Sequence, residues 1–114
     1  MIKNPQNSEH YTWGKNCDGW HLVKDNRLSV IYERMPPGTS EARHYHNQAQ
    51  QFFFILEGAA VLEVEEKEFT LNRQDGLHIS PGQAHRIFNK SENDLVFLVI
   101  SQPPSHRDRV NTES

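Results

Sequence analysis

Turn-forming residues recur along this chain roughly every 8 to 12 positions, and nothing between them shows helical apolar spacing. That pattern confines the chain to short strands, and so to an all-β sandwich or barrel. Strands are expected over 28–35, 40–46, 51–57, 59–66, 67–71, 77–80, 84–89 and 95–101. Pro36-Pro37-Gly38, Gly58, Pro81-Gly82 and the polar stretches at 47–50, 72–76 and 90–94 separate them. Two more short strands fit within 11–23, around Gly14 to Asn16 and Asp18-Gly19. The run LVFLVIS, 95–101, is apolar at nearly every position, as in a strand buried on both faces or covered by another element. A chain of 114 residues fits one domain. Residues 28–101 read as the barrel, 1–27 as N-terminal strands or an arm packing on it, and 102–114 as a polar tail, either disordered or laid over the domain.

Charge and composition exclude several functions. Net charge is −3, and Lys and Arg are interspersed with Asp and Glu, with no basic stripe for nucleic acid. No apolar stretch has the length of a membrane span. The start, MIKNPQNSEH, lacks the apolar segment of a secretory signal, and a lone Cys17 cannot form an internal disulfide. A reducing cytoplasm is the expected compartment.

The chemistry centres on 38–58, GTSEARHYHNQAQQFFFILEG. In a strand, residues i and i+2 face the same side, so His44 and His46 aim two imidazoles at one point. Converging neutral imidazoles are a common start to a transition-metal site. Packing alone does not ask for two of them on an inward face. Among His10, His21, His78, His85 and His106, the best third ligand is His85, which follows a Pro-Gly turn and shares a face with Ile87. His78 is second, while His10 and His106 lie in terminal segments and read as solvated. Gln50 or Gln51 can offer a carbonyl oxygen as a weak fourth donor. If Gln51 faces inward, so do Phe53 and Ile55; Phe52, Phe54 and Leu56 then face outward and need cover from the N-terminal strands or a second subunit. Leu62 and Ile87 complete the expected apolar lining of a substrate pocket. Trp13 and Trp20 read as packing residues, with a pocket wall or subunit contact as the sharper alternative. No carboxylate can be placed as a general base, and the inward face of the strand holding Tyr32 and Arg34 is open.

These residues resemble the paired motifs of the cupins. Gly38, His44, His46, Gln51 and Gly58 follow the spacing of the first motif, and Gly82, His85 and Asn89 that of the second. The resemblance covers 28–101 and implies a double-stranded β-helix, a jelly-roll barrel, with a metal inside held by His44, His46, His85 and Gln51. It also implies a homodimer. Gln51 stands where the family usually has glutamate, and its interval to Gly58 favours it over Gln50. Gln74 and Ser80 also depart from the motif, at turn positions.

Glutamine in place of a carboxylate leaves a divalent metal at net charge +2 rather than +1. Manganese should then be held less well, and iron, nickel, zinc or copper gain ground. A more positive metal draws an anionic ligand. The resulting expectation is a metal-binding protein, an oxygenase or isomerase acting on a small oxygenated anionic molecule. The alternative is a non-catalytic module that binds or senses a sugar or organic acid.

Overall fold

The structure, a computed structural model, describes residues 1–112. The chain opens with one 3₁₀ turn, Pro5–Asn7, capped by Asn4, whose side-chain oxygen accepts from the Gln6 and Asn7 amides. This turn is the only helical element among the described residues. Eleven strands follow: β1 Glu9–Trp13, β2 Cys17–Lys24, β3 Ser29–Met35, β4 His44–His46, β5 Gln50–Glu57, β6 Ala60–Val64, β7 Lys67–Leu71, β8 Gly76–Ile79, β9 His85–Phe88, β10 Leu95–Gln102 and β11 Arg109–Asn111. They form two antiparallel sheets, one ordered β1-β2-β3-β10-β5-β8 and the other β11-β4-β9-β6-β7. The chain is a double-stranded β-helix, all β as its turn spacing dictates. No helix among the described residues is long and apolar enough to cross a membrane.

Strand parity decides what faces inward. Along β5 burial alternates, with Gln51, Phe53 and Ile55 inside and Phe52 exposed. β9 alternates in the same way, with His85 and Ile87 inside. The core gathers Met35, Ile55, Leu62, Leu95 and Phe97, each at most 1% exposed. On β3 the inward residues are Ile31, Glu33 and Met35, which leaves Tyr32 and Arg34 outside. Arg34 there bonds Asp18 of β2 and Asp94.

Three turns show why the strands end where they do. Gly58 has φ of 82°, and a Cβ there would lie 2.6 Å from the Asp94 carbonyl oxygen. Only glycine accepts both conditions. Glu65 and Glu66 both take positive φ, the geometry that matches a two-residue hairpin to strand twist, and so join β6 to β7. Asn89 is 1% exposed. Its amide nitrogen donates to the Met35 and Asn93 carbonyls, and its oxygen accepts from the Ser91 amide and hydroxyl.

One expectation changes, and one open alternative closes. The strand expected over 40–46 narrows to His44–His46, because Glu41 turns toward β9 and only an isolated bridge, Ser40 to Phe88, precedes it. The tail is laid over the domain: β11 pairs with β4, Arg109 opposite His46 and Asn111 opposite His44. Tail residues 113 and 114 lie outside the described residues.

Asn89→Ala strands two buried carbonyls. It should lower the unfolding free energy by about 2–4 kcal/mol, seen as a lower urea midpoint with an unchanged slope.

Candidate metal centre

β4 carries His44 and His46 inward, and β9 sets His85 directly opposite His44. All three rings are at most 5% exposed. Their centroids lie 5.0 Å apart for His44 and His46, 4.4 Å for His44 and His85, and 5.8 Å for His46 and His85. One nitrogen from each falls within 4.8 Å of the others.

The Nδ1 atoms face acceptors. Nδ1 of His44 donates to the Ala42 carbonyl at 2.8 Å, that of His85 to the Gln83 carbonyl at 2.9 Å, and that of His46 to Asp108 Oδ1 at 2.9 Å. With the proton held on Nδ1, each ring turns the Nε2 lone pair inward. Nε2 of His85 is buried without a partner. Burial pushes His44 down to about 3 and His85 down to about 4, and it also lowers His46. The rings stay neutral at ordinary pH, as ligation requires.

Gln51 also points inward and is 6% exposed. Its amide nitrogen donates to Ser101 Oγ at 2.9 Å and Ser105 Oγ at 3.4 Å, which leaves its buried Oε1 without a partner. Gln50 faces out, bonded to Gln102 and to His78 of β8. That places His78 on the outer surface. His10 bonds Asp18, also away from the centre. A cluster of neutral imidazoles and an amide oxygen, two of these atoms unpartnered in a buried site, fits a divalent transition metal.

A cavity of about 340 Å³ opens beside the histidines. Phe53 and Ile87 line it; Ile55 and Leu62 do not. Both are fully buried core residues.

Several lining residues escaped the sequence reading. β3 brings Glu33, and the loop before β4 brings Glu41, whose Oε1 accepts from the Ile87 amide at 3.3 Å. Burial, and then the charge of Glu41, push Glu33 up to about 8. Burial pushes Glu41 up to about 7, against the pull of Arg109. Two carboxyls thus stand where none could be placed from sequence. From β1 and β2 come Tyr11 and His21, and from the tail Ser105, His106 and Arg109; Trp13 both lines the cavity and packs against the core. Gly19 makes room for Tyr11, whose ring would lie 2.3 Å from any Cβ there. Asp108 holds three groups at once: His46, and the amides of Gln48 and Ala49. Burial alone would raise Asp108, but these hydrogen bonds outweigh it and keep its carboxyl low.

Residues 31–101 match the family model described as the cupin domain. An uncharacterized protein of Methanocaldococcus jannaschii, MJ1618, is 28% identical over 89 residues, covering 77% of this chain and 71% of that protein. The tetracenomycin polyketide synthase protein TcmJ of Streptomyces glaucescens is 36% identical over 56 residues, 49% of this chain and 38% of that protein. A crystal structure from Thermotoga maritima, described as a predicted oxalate decarboxylase, superposes with a TM-score of 0.81 at 23% identity. It covers 91% of this chain and 100% of that one.

Opposed shifts set a pH optimum for metal-free stability. In the unfolded chain histidine charges below about 6.5, while in the fold His44 and His85 resist to about 3 and 4, so stability falls as pH drops from 6.5. Unfolded glutamate ionises above about 4.5, while folded Glu33 and Glu41 hold their protons to about 8 and 7, so stability falls as pH rises through that window. The contribution of these groups should peak between pH 4.5 and 6.5. Urea midpoints across pH 3 to 9 should show it, and Glu33→Gln with Glu41→Gln should flatten the alkaline limb.

Proposed function

Because the chain belongs to the cupin family, we propose that it is a metal-dependent enzyme of the oxygenase or isomerase type. Its substrate would be a small, oxygenated, anionic molecule. His44, His46 and His85 hold the metal, with Gln51 Oε1 as a weak neutral fourth donor. The observation that carries this reading is the meeting of three buried imidazole nitrogens within 4.8 Å, with the proton of each ring engaged on the far side. The donor set favours iron, nickel, zinc or copper over manganese.

When bound, such a metal supplies Lewis acidity toward a carbonyl or enolate oxygen, or redox chemistry if it is iron or copper. The chain's own residues do the rest. Asp108 fixes the ring of His46, and Ser101 and Ser105 turn the Gln51 oxygen, not its nitrogen, toward the centre. Arg109 adds positive charge at the cavity, which suits an anionic ligand. Glu41, tied to the Ile87 amide two residues from His85, can take up or return a proton near neutral pH. Phe53, Phe97 and Val99 give walls that exclude water. The likeness to a polyketide synthase protein supports a substrate rich in carbonyl and enol oxygens.

The outer face of the six-stranded sheet supports a homodimer. Phe52 is 37% exposed and stacks on Phe54, with half-buried Tyr32, Leu98 and Ile100 on the neighbouring strands. β1 and β2 extend this sheet at its edge and leave that face uncovered. A cytoplasmic location suits the single buried thiol of Cys17.

Untagged protein should carry about one transition metal per chain. His85→Ala should lose it, Asp108→Asn should weaken it about 10- to 100-fold, and Gln51→Glu should tighten manganese. Metal content unchanged by His85→Ala would contradict the assignment. Metal bound with no turnover across a broad panel of carbonyl compounds would favour a binding module instead. Sedimentation should give a dimer at micromolar concentration; a monodisperse monomer would remove the proposed interface.

A further inference from the structure

The C-terminal segment is held differently from the rest of the fold. Pro103 and Pro104 follow β10 and, lacking N–H groups, cannot continue its ladder. From Gln102 to Thr112 no described residue is buried, and none belongs to the apolar core. β11 is three residues long and pairs only with β4, at the end of its sheet. Hydrogen bonds hold the segment instead. The Asp108 carboxylate accepts from His46, Gln48 and Ala49, and its carbonyl accepts from the Asn47 amide. The Thr112 amide donates to the Arg43 carbonyl at 2.9 Å. Few buried apolar contacts and a short edge pairing mark a segment that opens well before the barrel unfolds.

Its anchors fall on the metal centre. Three of the four proposed donors lean on this segment. His46 gives its Nδ1 proton to Asp108 at 2.9 Å. The Gln51 amide nitrogen donates to Ser105 Oγ at 3.4 Å, one of its two acceptors. The Ala42 carbonyl, which takes the His44 Nδ1 proton, also accepts from Arg109 Nη2 at 3.4 Å. His85 takes its support elsewhere, from the Gln83 carbonyl and the ladder to β6. Ser105, His106 and Arg109 line the cavity as well, so the same segment forms part of its wall. Release removes the acceptor that fixes the His46 tautomer and one that fixes Gln51, and it opens the cavity on that side.

We infer that residues 103–112 are a releasable strap. Docked, it orients His46 and Gln51 and closes one side of the cavity. Released, it opens that side and loosens the donors. Docking and metal binding then strengthen each other by the same factor, because the docked chain holds the donors in place. That coupling rests on the proposed metal site; the opening of the strap does not.

The test is amide exchange on the full chain, metal-free and zinc-loaded, with Thr112→Pro as the variant. This substitution removes the bond to Arg43, touches none of the proposed donors, and asks of Asn111 only the extended backbone it already has. Without metal, the amides of Asn47, Gln48, Ala49 and Thr112 should be protected on the order of 100-fold less than those of β10, which is paired on both sides. Zinc should slow all four about fivefold or more, and Thr112→Pro should weaken zinc about fivefold or more while Thr112→Ser leaves it unchanged. Metal-free protection equal to that of β10, zinc slowing that spares Thr112, or zinc affinity indifferent to Thr112→Pro would overturn the strap. If Thr112→Pro does not fold, the wild-type exchange decides. Zinc that does not bind, or that binds undiminished to His85→Ala, refutes the metal site instead. The strap is then judged on metal-free protein by the reaction of His44, His46 and His85 with diethylpyrocarbonate. Thr112→Pro should speed it; equal rates would overturn the opening too.

Discussion

Everything at the centre depends on where three imidazole protons are held. Two backbone carbonyls, of Ala42 and Gln83, and one carboxylate, of Asp108, each take an Nδ1 proton. That fixes the tautomer of each ring and its orientation. Left to themselves, three buried lone pairs turned on one another are unfavourable, and His85 Nε2 is unpartnered. Met35, Leu62, Leu95 and Phe97 belong to the apolar core of the same barrel, whose packing offsets this cost. A local violation of polar satisfaction inside an otherwise consistent fold is the usual physical mark of a working site.

The site draws on three stretches of chain. β4, β5 and β9 give the imidazoles and Gln51. The N-terminal hairpin, β1 with β2, gives Tyr11, Trp13 and His21, and the C-terminal segment gives Ser105, Asp108 and Arg109. The tail is thus part of the centre's support. Asp108 bonds His46 and also fixes the Gln48 and Ala49 amides at the turn leading into β5. One carboxylate therefore couples β11 to both strands that carry the first motif.

How much of this could be read beforehand follows from local periodicity. The pairing of His44 with His46, the inward turn of Gln51 and Phe53, and the shared face of His85 and Ile87 all follow from a period of two. The strand around Glu33 was different. SVIYERM mixes apolar and polar residues on both faces, so parity placed Glu33 with Ile31 and Met35 but could not say which set was inside. Glu41 lay in a segment read as strand that is mostly loop, so its direction had no periodicity to follow. Arg109 and Asp108 sit in a short polar run whose pairing to β4 is non-local. Ile55 and Leu62 are fully buried yet away from the cavity, because parity gives a face and not a distance along the barrel.

The most direct measurement is X-ray absorption at the zinc edge of untagged, zinc-loaded protein. Imidazole scattering from three rings, with the remaining neighbours oxygen or nitrogen, is the result that convergence of His44, His46 and His85 requires. Two rings or fewer, or a sulfur neighbour from Cys17, would mean that the cation is held elsewhere.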